Sequence, residues 1–272
     1  MKELCAELLE QVRKKRPLVH HITNYVTVNE CANITLAVGA SPIMADALEE
    51  ALDISALSSA LVLNIGTLNE RVVPSMLAAG VAANRAGAPV VFDPVGAGAS
   101  RMRSEAAKMF LYEIKVDILR GNISEIRHIA GLDSKTQGVD ASEDDMRSIA
   151  DAVFIAKELA ARLGCIVAIT GATDVVSDGG RTLCIRNGHP MLGRITGTGC
   201  MCSSLVGALC GASPDMLLGG SVAALLTMGI AGEIAYKEAG VKGNGSFRTA
   251  LHDAVSRIDA RTLESEAKLY EA

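Results

Sequence analysis

Proline is scarce in this chain, at 7 of 272 residues, and no repeat or low-complexity tract interrupts it. With hydrophobic residues at 49%, there is enough apolar surface to form a core, and no long disordered stretch is expected. A concentrated basic face is missing as well. The formal net charge is -5, and the densest cationic run is Arg13-Lys14-Lys15-Arg16. Nucleic-acid binding requires a surface that neutralises phosphates, so that function class is set aside. The run is expected to end the first helix, where cations complement the helix dipole.

Paired cysteines are also lacking. Cys5, Cys31, Cys165, Cys184, Cys200, Cys202 and Cys210 form no C-x-x-C unit, and no second Cys or His pair stands at zinc-site spacing from Cys200 and Cys202. Most of the cysteines therefore read as small core residues in a reducing cytoplasm. Met1-Lys2-Glu3 opens a charged amphipathic helix where a secretory signal would have a basic start and an apolar centre. Met216 to Gly232 carries no charge and approaches a membrane-spanning length. Its Gly, Ala, Ser and Thr content, with Asp215 and Glu233 close on either side, predicts a buried central helix.

What is present is a repeated strand-to-helix pattern. Leu61-Val62-Leu63 runs into Asn64, Val90-Val91-Phe92 into Asp93, Ile118-Leu119 into Arg120-Gly121-Asn122, and Cys165 to Ile169 into Thr170. Short apolar runs without alternation are typical of strands buried on both faces of a mostly parallel sheet. Helical stretches at Glu70 to Arg85, Ser124 to Ala130 and Ser142 to Leu163 alternate with them, which predicts an α/β fold in a single domain over residues 1–272. Asp174 to Ser177 and Thr182 to Ile185 flank Asp178-Gly179-Gly180 and read as an antiparallel edge hairpin. An all-helical C-terminal third is expected after it.

Ligands of open α/β sheets bind at the carboxyl ends of the strands, where Asn64, Asp93, Arg120, Asn122 and Thr170 all fall. Gly197-Thr198-Gly199-Cys200 precedes a small-residue helix, an arrangement that turns several N–H groups toward an anion at the positive helix end. The chain has no G-x-x-x-x-G-K-[ST] P-loop, and this glycine turn comes too late for a Rossmann fingerprint. His20 and His21 are adjacent strand residues that face opposite ways, so at most one lines a site, and neither is given a catalytic role.

Gly197-Thr198-Gly199-Cys200 resembles the anion-hole motif of ribokinase-like kinases, in which the last position is usually Asp. Gly121-Asn122-Ile123-Ser124-Glu125 is similar to their N-x-x-E motif. His21 to Thr27, Ser41 to Ala45, Leu63 to Thr67 and Val91 to Gly98 narrow the resemblance to the hydroxyethylthiazole kinase family of thiamine synthesis, where Cys in place of Asp is itself typical. The resemblance implies ATP-dependent phosphorylation of a thiazole alcohol with magnesium. It implies Cys200 as base, Met44, Gly197 and Asn24 at the thiazole, Arg120 and Thr170 at the ATP phosphates, and Asp93 and Glu125 at magnesium. Glu125 is expected to be an exposed carboxylate, and Met44, from its apolar neighbours alone, would be core. A cytoplasmic homotrimer with the thiazole site near a subunit boundary is also implied. Ribokinase-like enzymes acting on hydroxymethylpyrimidine, pyridoxal or hydrated NAD(P)H share the nucleotide half, and the Asn24 and Met44 segments separate them from this chain.

Overall fold

In the computed structural model, which describes residues 1–132 and 141–272, the apolar runs form strands buried on both faces. The first half runs α1 (Lys2–Lys15), β1 (Leu18–Ile22), α2 (Val28–Val38), β2 (Ser41–Ile43), α3 (Leu48–Leu57), β3 (Ala60–Asn64) and α4 (Val72–Ala86). It continues β4 (Val90–Asp93), α5 (Arg101–Glu113), β5 (Ile118–Asn122), α6 (Ile123–Ala130), α7 (Ala141–Leu163) and β6 (Ile166–Thr170). The remainder is β7 (Asp174–Ser177), β8 (Thr182–Ile185), α8 (Thr198–Ala212), α9 (Leu217–Ala239), α10 (Asn244–Arg257), α11 (Ala260–Glu266) and β9 (Leu269–Glu271).

The strands form one sheet in the order β2-β1-β3-β4-β5-β6-β7-β8-β9. All pairings from β2 to β6 are parallel, and those from β6 to β9 are antiparallel. The predicted hairpin is β7–β8. The C-terminal third is not all helix, because β9 returns to pair with β8 and covers the hairpin's free edge. An exposed edge is a template for unwanted pairing, so its short cover has a protective effect.

Successive side chains leave opposite faces of each strand. Val19, Val62, Val91, Ile118 and Ala168 enter one core with α1, α2, α8, α9 and α10. Leu61, Leu63, Val90, Phe92, Leu119 and Val167 enter a second core with α4, α5, α6 and α7. Both faces being covered explains why the strands lack a polar alternation. The uncharged α9 stretch is buried along nearly all its length, as a core helix. Helix α4 starts at Val72, later than the expected Glu70, because Asn69 Oδ1 accepts from the Arg71 and Val72 amides and closes a turn first.

Helix α8 lies directly on the sheet. A Cβ on Gly207 would stand 2.6 Å from Val62 Cγ2 and 3.1 Å from Val19 Cγ1, and one on Gly211 would stand 3.0 Å from Ala60 Cβ. This close seat brings the N-terminus of α8 to the carboxyl ends of β3, β4 and β5.

Candidate active site

Counting forward by two from Val62, Val91, Ile118 and Ala168 reaches Asn64, Asp93, Arg120 and Thr170. Those polar residues therefore leave the sheet on the side of α8. Register aligns them across the rim, with Asn64 opposite Asp93 and Asn122 opposite Thr170.

Hydrogen bonds join these residues to the start of α8. Asn64 Nδ2 donates to Asp93 Oδ2 at 2.8 Å, and Ser203 Oγ donates to the same oxygen at 2.7 Å. Arg120 Nη1 lies 3.5 Å from Asp93 Oδ2, and Arg120 Nη2 donates to Thr170 Oγ1. Asn24 Nδ2 and Asn64 Nδ2 each lie 3.3 Å from Cys200 Sγ, with the sulfur accepting. Gly197, at φ 90°, takes the left-handed conformation that caps α8, and a Cβ there would lie 2.8 Å from Thr27 Cγ2. A Cβ on Gly199 would collide with Arg120 Nη1 at 2.8 Å, so glycine lets the guanidinium sit under the helix start.

Burial sets the charges. Asp93 is fully buried, and desolvation pushes its carboxyl above the usual range against the pull of Arg120. Its Oδ1 has no hydrogen-bond partner, leaving an acceptor that a cation or its water shell can fill. Burial, aided by the charge of Asp93, also raises the Cys200 thiol, although contacts from Thr27 and Asn24 oppose this. Among the seven cysteines, Cys200 is the one that is not fully buried.

Glu125 corrects an expectation. It is 8% exposed, not open to solvent, because it closes a capping box at the start of α6. Its Oε2 accepts from the Asn122 amide at 2.8 Å and its Oε1 from the Gly96 amide at 2.9 Å. Both oxygens being so held, the carboxylate is fixed at the cleft wall and raised by burial. Among the described residues, no three His, Cys, Asp or Glu side chains gather into a metal-binding cluster. Asp93 and Glu125 are the two carboxylates lining this cleft.

Two clefts meet here. One, of about 360 Å³, contains Asn24, Asp93, Glu125, Gly197 and Cys200. Its neighbour, of about 550 Å³, contains Thr170, Asp174, His189, Thr198 and Met228. Arg120 and Gly199 line both and stand at the junction. Met44 is not core, and it does not line the cleft that contains Cys200. It is half-buried in a third cleft with His21, Thr23 and Asn64. The histidines divide as expected, for His20 points away, held by Ser55 and the Ala45 carbonyl.

Three participants escaped the sequence reading. Ser203 follows Cys200 by three residues and so shares its helix face, a spacing that could have exposed it. Asp174 lines the larger cleft, where burial pushes it up to about 7. Arg103 grips the Ile65, Gly66 and Val95 carbonyls and so ties the loops after β3 and β4 together. No sequence signal marks the last two.

The model of the hydroxyethylthiazole kinase family matches residues 9–261. A hydroxyethylthiazole kinase of Ruminiclostridium cellulolyticum is 55% identical over 264 residues, 97% of this chain and 96% of the relative. The solved structure of hydroxyethylthiazole kinase from Pyrococcus horikoshii OT3 is similar at a TM-score of 0.89 and 42% identity, covering 98% of each chain. A ribokinase-like superfamily protein from Enterococcus faecalis shares the fold at a TM-score of 0.64 and 11% identity. The chain has the ribokinase-like fold and belongs to the hydroxyethylthiazole kinase family.

Proposed function

We propose that this chain, acting as one domain, transfers the γ-phosphoryl group of ATP to the primary alcohol of 4-methyl-5-(2-hydroxyethyl)thiazole in thiamine biosynthesis. The observation that carries this reading is the placement of Cys200, at the positive end of α8, beside Asn24, Asp93 and Arg120. The larger cleft takes the nucleotide, with Arg120 and Thr170 at its phosphates. The smaller cleft takes the alcohol, with Asn24 and Gly197 against the thiazole.

In the transfer the alcohol oxygen forms a bond to the γ-phosphorus, and the bond to the β,γ-bridging oxygen breaks, leaving ADP. The alcohol proton passes to the Cys200 thiolate. The Gly199 and Cys200 amides and the Arg120 guanidinium face the charge on the transferring group, which in a loose transition state carries most of the catalysis. Asp93, whose Oδ1 is unpartnered, and Glu125, fixed at the cleft wall, would hold magnesium. When bound, that ion neutralises the phosphate oxygens.

Met44 completes the thiazole pocket in a homotrimer. This reading is supported by Met44 lining a different cleft from Cys200 and by an exposed apolar side chain beside it. Tyr25, which lines the Met44 cleft, is 76% exposed, an apolar side chain suited to a subunit contact. A cytoplasmic location fits the free cysteines. The test compares kcat/KM for the thiazole alcohol and hydroxymethylpyrimidine. A large preference for the thiazole is expected, whereas equal values or the reverse order defeat the substrate assignment.

A further inference from the structure

Asn64 lies at the last residue of β3, 2% exposed, and every polar atom of its side chain is engaged. Its Oδ1 accepts from the Gly66 amide and from Asn24 Nδ2, each at 2.9 Å. Its Nδ2 donates to Asp93 Oδ2 and toward Cys200 Sγ. This pattern fixes the orientation of the carboxamide. A flip would set its oxygen against a carboxylate oxygen and its amine against a backbone N–H. Asn24 is fixed in the same way, since its Oδ1 accepts from the Thr27 amide and hydroxyl. Two amide donors thus converge on one sulfur, and only Asn64 also reaches the carboxylate.

We infer that Asn64 is a positioning residue for the transfer, its carboxamide holding Cys200 Sγ and Asp93 Oδ2 in one fixed relation. The inference rests on the functional reading above. Asn64 acts through its two neighbours and lines neither the cleft that contains Cys200 nor the larger one beside it. Chemical groups misplaced by an ångström lose much of their rate, so a rigid link between acceptor and carboxylate raises kcat without adding affinity. Serine in its place is too short to span both partners. Asp there would set two carboxylate oxygens against each other.

The experiment measures kcat, both KM values and melting temperature for Asn64→Ala, Cys200→Ala and the double variant. Asn64→Ser is read in the same way should the alanine variant fail to fold. The alanine change should lower kcat about tenfold or more with both KM values within about threefold. In the Cys200→Ala background its effect should shrink, because part of it runs through the sulfur. A second arm needs no substrate and follows iodoacetamide labelling of Cys200 against pH. Losing a donor to the sulfur should move the midpoint upward in Asn64→Ala. An unchanged midpoint, or a kcat loss fully additive with Cys200→Ala, overturns the inference. A wild-type chain inactive on the thiazole alcohol overturns the functional reading instead, and the labelling arm then decides the role of Asn64.

Discussion

Replacing Cys200 separates proton acceptance from packing. Even at an ordinary cysteine pKa of about 8.5, only about a tenth of the thiol is ionised at pH 7.5. Burial and Asp93 push Cys200 higher, so the thiolate fraction is smaller still. Cys200→Ala removes the acceptor but keeps the amides at the start of α8 and the Arg120 charge. A general base contributes about 10²- to 10⁴-fold, and a weakly ionised one belongs at the low end. Cys200→Ala should therefore lower kcat about 10- to 100-fold, or about 1.4 to 2.7 kcal/mol. Cys200→Asp places an oxygen near the two amide donors. Even if burial and Asp93 lift that carboxyl two units from about 3.9, more than about nine-tenths remains ionised at pH 7.5. Its fraction of ready acceptor then exceeds that of the thiol about tenfold, offset by lower basicity. Its kcat should fall within about threefold of the wild type or above it. The pH profiles add a signature. The wild-type rate should climb from pH 6.5 to 9 as the thiol ionises, whereas that of Cys200→Asp should be flat. An active Ala variant beside a dead Asp variant, both with normal melting temperatures, would refute the reasoning.

Glu125→Gln removes the charge and replaces one of two accepting oxygens with an NH2 that faces a backbone amide, so turnover should fall strongly and the melting temperature should drop as well. Titrating magnesium checks this, since an unchanged dependence would leave Glu125 as a helix cap alone. Asp174 binds its proton up to about pH 7 when folded against an ordinary 3.8, so the folded state holds the extra proton and stability falls as pH rises between those values. Asp174→Asn should therefore raise the melting temperature at pH 8 and leave it nearly unchanged at pH 4, and no gain at pH 8 would contradict that. Sedimentation equilibrium should give a trimer, and a fully active monomer would remove the shared pocket.

The strands were legible because burial on both faces leaves a continuous apolar run, and the rim followed from where each run ends. Asn64, Asp93, Arg120 and Thr170 were therefore visible as a group. The bonds between Asn64, Asp93 and Ser203 were not, because they depend on strand register and on how closely α8 approaches the sheet. The burial of Glu125 could have been read from Asn122-Ile123-Ser124-Glu125, whose spacing is that of a capping box. Strand β9 was hidden because three residues give no periodicity to read, and its pairing with β8 is purely tertiary. That Met44 and Cys200 line different clefts is likewise a matter of loop path, which local pattern does not encode.

The glycine seat of α8 makes this helix a lever. Gly207 lies seven residues from Cys200, about 10 Å along a rigid rod. A methyl group added at Gly207 meets Val62 at 2.6 Å and must lift the helix by most of an ångström to reach an ordinary contact. The positive end of the helix, with Cys200, moves with it, and a displacement of that size at a reacting group is enough to cost a large part of the rate. Selection on catalysis therefore reaches a buried position that touches no ligand. A protein engineer filling this interface to gain heat resistance would be retuning the enzyme without altering any residue at its rim.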